Sequence, residues 1–106
     1  MSLNLATKII TTTSYTILTS DTVILVNVTS GPVKITLPLN GIDDDDDEGG
    51  NRSFYIKDYS GTSLTNPITI VAPNGKLING VSFAILNGAY SHVQVIYDGK
   101  NWMTIA

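Results

Sequence analysis

Strict alternation of apolar and polar side chains constrains this chain more than any other feature. The clearest case lies in Arg52–Ala72, which reads RSFYIKDYSGTSLTNPITIVA. Phe54 and Ile56 alternate with polar neighbours before a polar loop, and the same period resumes at Ile68 and Ile70. A period of two places successive side chains on opposite faces of a β-strand. We therefore predict two strands joined as a β-hairpin, with Ile56 and Ile70 in the core.

Short runs of the same kind recur along the chain and are separated by turn residues. The further predicted strands are Lys8–Thr13, Thr22–Val28, Val33–Leu37, Lys76–Ile78, Phe83–Leu86, Ser91–Tyr97 and Trp102–Ile105, and Ser14–Leu18 either continues the first of these or pairs with it. Asp98-Gly99 between the last two runs is a hairpin turn signal. About nine short strands with turns roughly every 8–12 residues are typical of a sandwich or barrel. We predict a single all-β domain, a small antiparallel β-sandwich or barrel-like module at residues 8–106, after a short N-terminal leader at residues 1–7.

Two of the predicted strands are apolar at consecutive positions. These are VILV at Val23–Val26 and FAIL at Phe83–Leu86. A strand that is apolar on both faces is covered on both faces. The domain core provides one cover, and we expect another subunit to provide the second. The predicted subunit interface consists of Val23, Ile24, Leu25, Val26, Phe83, Ile85 and Leu86.

The composition excludes several classes of partner. Charged residues make up 14% of the chain, against roughly 25% in an average soluble domain, which fits a surface partly buried against other chains. The six Lys and Arg residues are scattered, whereas nucleic-acid binding needs a basic patch, so we predict no nucleic-acid partner. No apolar run approaches the roughly 20 residues that span a bilayer, and we predict no membrane insertion. The absence of cysteine excludes disulfides and thiolate chemistry.

An acidic run at Asp43–Glu48 is the locally unusual feature of the sequence. Asp44, Asp46 and Glu48 occupy the first, third and fifth positions of an EF-hand loop. Tyr55 occupies the twelfth position, where an EF-hand has its bidentate glutamate. An EF-hand is therefore excluded. A looser oxygen-ligated cation site at these three carboxylates stays open as a weak alternative, and the preferred interpretation is a solvated loop without a metal.

His92 is the only histidine of the chain, and it falls on a predicted strand. A general base acts on a nearby nucleophile and is oriented by a third group, and the sequence nominates neither of them. We therefore interpret His92 as an outward-facing strand residue. No set of acid, base and nucleophile emerges elsewhere, so we predict that the protein is not an enzyme and holds no cofactor.

Aromatic side chains offer a different kind of site, because their rings stack on the faces of sugars. Tyr59 lies in the polar loop of the predicted hairpin and is the best exposed candidate for a glycan contact. Trp102 follows the tight turn of the last hairpin and is the second candidate. Core packing or a subunit contact is the preferred interpretation of Trp102. The remaining tyrosines could belong to the same sugar-binding platform, and they are Tyr15, Tyr55, Tyr90 and Tyr97.

Several motifs together carry a resemblance to a known family. They are Tyr15 before a strand, Ser30-Gly31-Pro32 entering VKITLP, the Ile56-Lys57-Asp58 and Asn66-Pro67-Ile68-Thr69-Ile70 segments, and the closing Tyr97-Asp98-Gly99 with Asn101-Trp102. In their order and spacing, from about Lys8 onward, they resemble a β-structured module of tail-fibre and virion appendage proteins of bacteriophages and other DNA viruses. The chain departs from the family at Asp43–Glu48, where members usually carry a shorter and less charged loop.

The resemblance implies a structural role on the virus particle. It implies a homotrimer that forms part of a fibre, spike or capsid appendage, contacts other virion proteins and contributes to host attachment through a host-surface glycan. The expected localisation is the virion. The alternative from another class is a soluble carbohydrate-binding module without a virion role. Glycan binding by a monomer would favour the alternative, whereas copurification with particles would favour the virion module.

Overall fold

Short alternating segments form β-strands throughout the part of the chain that the structure describes. The computed structural model describes residues 6–18, 20–38 and 53–105. Within those ranges the strands are β1 (Thr7–Ile10), β2 (Ser14–Thr16), β3 (Val23–Val26), β4 (Val33–Thr36), β5 (Ser53–Asp58), β6 (Ile68–Val71), β7 (Phe83–Leu86), β8 (His92–Tyr97) and β9 (Trp102–Ile105). The fold is all-β, as predicted.

From β1 to β6 the strands alternate between two sheets. The first sheet has the order β1-β3-β5-β8-β9, and the second has the order β2-β4-β6-β7. The pairs β1–β3, β3–β5, β2–β4 and β4–β6 are parallel. The chain therefore coils from one sheet to the other and back, so that β1–β2, β3–β4 and β5–β6 stack as successive turns of the coil. The pairs β6–β7, β5–β8 and β8–β9 are antiparallel and complete both sheets.

The prediction of an antiparallel sandwich was therefore wrong in its strand pairing. Parallel neighbours are far apart in sequence, since Thr7 pairs with Val23 and Val23 pairs with Tyr55. A period of two fixes which side chains face the core, but it is the same for parallel and antiparallel strands. The all-β class is correct, and the sheets are mixed.

The predicted hairpin in Arg52–Ala72 was also wrong, because β5 and β6 belong to different sheets. The polar segment 59–67 crosses between the sheets instead of folding β6 back beside β5. The predicted strand at Lys76–Ile78 is reduced to isolated bridges of Ile78 with Val81 and Trp102. The Asp98-Gly99 turn does join an antiparallel pair, β8 and β9, as predicted.

The core lies between the two sheets and receives one face of each. Ile56 on β5 and Ile70 on β6 are both fully buried, which confirms the predicted phase of these strands. Trp102 is also fully buried and packs against Phe54 and Tyr97, with ring centroids 6.0 and 5.2 Å away. The core thus holds the largest aromatic side chain of the protein, and the opposite strand faces are left for other contacts.

Truncation of the two core isoleucines should measure this packing. We expect Ile56→Ala or Ile70→Ala to lower the free energy of unfolding by about 2–5 kcal/mol, because each leaves a cavity in a close-packed interior. Thr69→Ser changes an outward neighbour of Ile70 and should alter stability by only about 0.5 kcal/mol. Urea unfolding followed by tryptophan fluorescence gives all three values. Equal losses at the three positions would contradict the assigned strand phase.

Candidate assembly face and loop corner

The outer face of the first sheet is unusually apolar for a surface. Its apolar side chains are exposed or half-buried, and they come from all five strands of the sheet, including both edges. They are Ile9, Val23, Leu25, Tyr55, Ile96, Met103 and Ile105. We call this set the apolar face. Single exposed apolar residues are ordinary, whereas a contiguous group of them marks an interaction surface.

Strand register brings the members of the apolar face together. Val23 pairs with Tyr55, Tyr55 pairs with Gln94, and Gln94 pairs with Ile105, so a line of neighbours runs across the sheet. A second line places Ile96 beside Met103. Side chains directly opposite on paired strands lie within about 5 Å of one another. The apolar side chains therefore extend from β3 to β9, and the polar side chains of Ser53, Lys57, His92 and Gln94 lie among them on the same face.

The outer face of the second sheet has a different character. Its first three strands present Ser14, Thr16, Lys34, Thr36, Thr69 and Val71. Apolar exposure is concentrated on β7, where Phe83 and Ile85 are each 47% exposed. Among the described residues β7 pairs only with β6, so it is an edge strand. An exposed apolar edge strand is a site at which another chain can add.

The seven predicted interface residues are separated by the fold. Ile24, Val26 and Leu86 are buried in the core of the single chain, so they are not available to a second subunit. The physical reason is the strand period, which turns alternate residues of each apolar run inward. Val23 and Leu25 lie on the apolar face of the first sheet, and Phe83 and Ile85 lie on the second sheet.

A buried carboxylate organises the loops at the end of β5. Asp58 is 0% exposed, and its two oxygens accept hydrogen bonds from the backbone N–H groups of Ser60, Gly61, Ser63 and Tyr90 at 2.9–3.1 Å. The first three belong to the segment that crosses to the second sheet, and the fourth precedes β8. One side chain therefore ties two loops to the first sheet, which sequence reasoning did not find.

The pKa of Asp58 reflects these contacts. Burial raises the pKa of the carboxyl. The hydrogen bonds from the N–H groups of Ser63, Tyr90 and Gly61 lower the pKa by more than burial raises it, and the result is a pKa of about 2. Hydrogen bonds to the charged form favour that form over the neutral one. The loops around β5 are thus fixed by an ionised carboxylate at neutral pH.

The loops held by Asp58 present two exposed tyrosines, Tyr59 and Tyr90. We call these two residues, together with Lys57, Gly61 and His92, the loop corner. Tyr59 follows β5 and is 48% exposed, and Tyr90 precedes β8 and is 57% exposed. The ammonium of Lys57 donates a 2.7 Å hydrogen bond to the carbonyl of Tyr90 and lies 5.8 Å from the centroid of its ring.

The two predicted glycan contacts have different positions. Tyr59 is exposed in a loop, where the sequence placed it, although the loop crosses between sheets. Trp102 is buried at 0% exposure, so it cannot stack on a ligand. Its burial follows from its place beside Tyr97 on the inward phase of the β8–β9 pair. Tyr90, which sequence reasoning gave no special role, is the more exposed tyrosine of the corner.

The remaining candidate residues are His92 and the three carboxylates of the acidic run. His92 is exposed on β8 and pairs in register with Lys57. Asp44, Asp46 and Glu48 lie outside the described residues. Within the described ranges no three His, Cys, Asp or Glu side chains come together as a metal site. In the same ranges no helix has the length and apolar character needed to cross a membrane.

Comparison with known proteins gives no assignment, because no family model and no curated protein matches the chain. Function must therefore be argued from the apolar face and the loop corner themselves.

Proposed function

We propose that this protein is a structural module of a virion appendage that assembles as a homotrimer through the apolar face of the first sheet. The observation that carries the proposal is the extent of the apolar side chains across the sheet, from Val23 through Tyr55 to Ile105. Removal of apolar surface from water contributes roughly 25 cal/mol per Å². The proposed location on a virus particle rests on the resemblance of the sequence to tail-fibre modules.

Threefold closure suits a face whose two sides differ. The β3 side of the apolar face offers Val23 and Leu25, while the β9 side offers Met103 and Ile105. In a cyclic trimer one side of the face on each subunit meets the other side on the next subunit, which is a heterologous contact. Such a ring hides three apolar faces around one axis and leaves no open end on which further subunits can add.

The edge strand β7 suits a second kind of contact. Phe83 and Ile85 lie on the sheet opposite the apolar face, so they remain accessible in such a trimer. An exposed edge can pair with an extended segment of a different protein through backbone hydrogen bonds. In the proposed particle this edge contacts another virion protein, and the loop corner is left free for host attachment.

Location on the particle tests the virion role directly. Purified particles should contain the protein, and antibodies against it should label an appendage of intact particles in immunogold electron microscopy. Antibodies preabsorbed with the purified protein provide the control. Particles that lack the protein after gradient purification would contradict the proposed role.

A soluble carbohydrate-binding module without a virion role is the second candidate. The observation that favours it is the exposure of two tyrosines at the loop corner, 48% for Tyr59 and 57% for Tyr90. This candidate predicts a monomer that binds sugars and is absent from particles. The virion module predicts a trimer that is present in them.

A further inference from the structure

The backbone of Tyr90 is in a conformation that bulky residues rarely adopt. Its φ is +58°, in the left-handed region. The other non-glycine residues with positive φ among those described are Asn74 and Asn79, and asparagine tolerates this region far better than an aromatic residue does. Residues held in such conformations cost free energy and persist where the surrounding structure imposes them.

Three contacts impose this conformation on Tyr90. Its N–H donates to the buried carboxylate of Asp58 at 3.1 Å, and its carbonyl accepts from Lys57 at 2.7 Å. Its ring lies against Gly61 so closely that a Cβ added to the glycine would be 2.5 Å from the ring carbon Cζ. The ring nevertheless stays 57% exposed. The fold therefore holds an aromatic ring in a fixed position at the surface without using it for the core.

Polar and aromatic groups surround this fixed ring. Lys57 and His92 pair in register and lie on the outer face of the first sheet. Among the described residues the ammonium of Lys57 meets no carboxylate, since Asp58 follows it on the strand and faces inward. Tyr59 provides a second exposed aromatic side chain. The loop corner thus combines rigid aromatic surface with hydrogen-bond donors.

We propose that the loop corner is a carbohydrate-binding site in which Tyr90 stacks on a pyranose ring while Lys57 and His92 hydrogen-bond its polar substituents. Tyrosine offers amphipathic contact area at a low cost in conformational entropy, and a ring that is already fixed lowers that cost further. Tyr59 contacts an adjoining sugar unit. This inference deepens the host-attachment part of the proposed function and rests on it for the source of the glycan, while sugar binding itself is testable without particles.

The site adjoins the proposed trimer contact, because Leu25 of the apolar face pairs in register with Lys57, and Lys57 pairs with His92. Tyr59 is four residues beyond Tyr55 on the same chain segment, which corresponds to roughly 13 Å along an extended strand. Met103 and Ile96 lie further still toward the start of β5, beside Ser53. A subunit contact centred on Tyr55 and Met103 therefore borders the corner at Lys57, while Tyr59 and Tyr90 lie in the loops beyond the end of β5 and before the start of β8.

Saturation-transfer NMR on the full chain tests the proposal, with lactose, 3′-sialyllactose, maltotriose and chitotriose as probes. We expect at least one probe to bind. Tyr90→Ala should weaken that binding by about tenfold or more, and Tyr90→Phe, which keeps the ring, should bind within about threefold of the unmodified protein. Preference for 3′-sialyllactose over lactose would show that the bound sugar is acidic. Equal binding of the two would show that it is neutral.

A glycine pair provides the sharpest control, because it leaves every tyrosine in place. Gly61→Ala should displace the ring of Tyr90 and weaken binding as Tyr90→Ala does. Gly75→Ala strains the backbone equally, since φ is +76° against +79°, but its Cβ would meet nothing within 4 Å. Gly75→Ala should therefore bind like the unmodified protein, and circular dichroism should show that both variants are folded.

Two results would overturn the inference. One is the absence of binding by all four probes, and the other is undiminished binding by Tyr90→Ala or by a folded Gly61→Ala variant. Failure of the assembly proposal has a different signature. A monomer that binds sugar through Tyr90 would overturn the trimer and keep the site, whereas a trimer that binds none of the probes would overturn only the site.

Discussion

Replacing Asp58 by alanine should lower the free energy of unfolding by about 3–6 kcal/mol, since each buried N–H group left without an acceptor costs about 1–3 kcal/mol. The backbone N–H groups of Ser60, Gly61, Ser63 and Tyr90 would lose their common acceptor. Part of the cost is recovered as the loops move toward water. Because a domain is typically stable by 5–15 kcal/mol, the variant should be close to unfolding. Urea denaturation gives the value.

Asp98→Ala is the matched control for Asp58→Ala. The carboxylate of Asp98 also accepts hydrogen bonds from two backbone N–H groups, those of Lys100 and Asn101. These groups are exposed in the β8–β9 turn, so water can replace the carboxylate. We expect a much smaller fall in melting temperature for Asp98→Ala. Similar losses for the two variants would show that the buried position of Asp58 is unimportant.

The pH dependence of unfolding gives an independent measure of the same contact. The pKa of Asp58 is about 2 in the folded protein, below its ordinary value of 3.8. The unfolded chain therefore binds this proton more readily than the folded chain, and the stabilisation from Asp58 is complete above about pH 4. It should be lost as the pH falls from about 4 toward 2, and Asp58→Asn should remove this part of the acid dependence. An unchanged acid profile in the variant would contradict the assigned role.

The sequence was sufficient to locate most strands and to fix their inward faces. Ile56 and Ile70 are buried as their alternation predicts, and the Asp98-Gly99 turn joins β8 and β9. These features depend on residues close together in the chain. The pairing of Val23 with Tyr55 does not, because parallel partners are joined through a strand of the other sheet and no repeat marks them. The apolar–polar pattern within a strand does not indicate which distant strand pairs with it.

In the candidate sites, too, features that depend on neighbouring residues could be predicted, and features that depend on residues distant in sequence could not. Tyr59 was predicted to be exposed from the small polar residues around it, and it is exposed. The fixed position of Tyr90 depends on Asp58, which is distant in sequence and joined to it only through the fold. The burial of Trp102 depends on Phe54 in the same way. Gly61, within the polar loop, was the available signal for a close contact in this region. The sequence does not say which aromatic ring lies against that glycine.

A charge placed in the apolar face should dissociate the trimer without unfolding the subunit. In Met103→Glu a carboxylate replaces a side chain that is 47% exposed in the single chain and pairs with Ile96. Burying an unpaired carboxylate between subunits costs several kcal/mol, whereas in the separated subunit the same group can face water. We therefore expect a folded monomer, with the circular dichroism spectrum of the unmodified protein. Sedimentation velocity measures the change in mass.

Phe83→Glu is the control for Met103→Glu, because Phe83 is also 47% exposed but lies on the second sheet. We expect the trimer to persist in this variant. Dissociation by Phe83→Glu together with persistence in Met103→Glu would move the subunit contact to the edge strand β7. A charge at Ile24 would not distinguish the two surfaces, since that side chain is in the core and the subunit itself would unfold.

Light scattering coupled to size-exclusion chromatography of the unmodified protein tests assembly most directly. We expect a single species at micromolar concentration, with three times the 11.4 kDa mass of the chain. The apolar face from Val23 to Ile105 is then covered within the trimer. A well-folded monomer at the same concentration would contradict the proposed assembly.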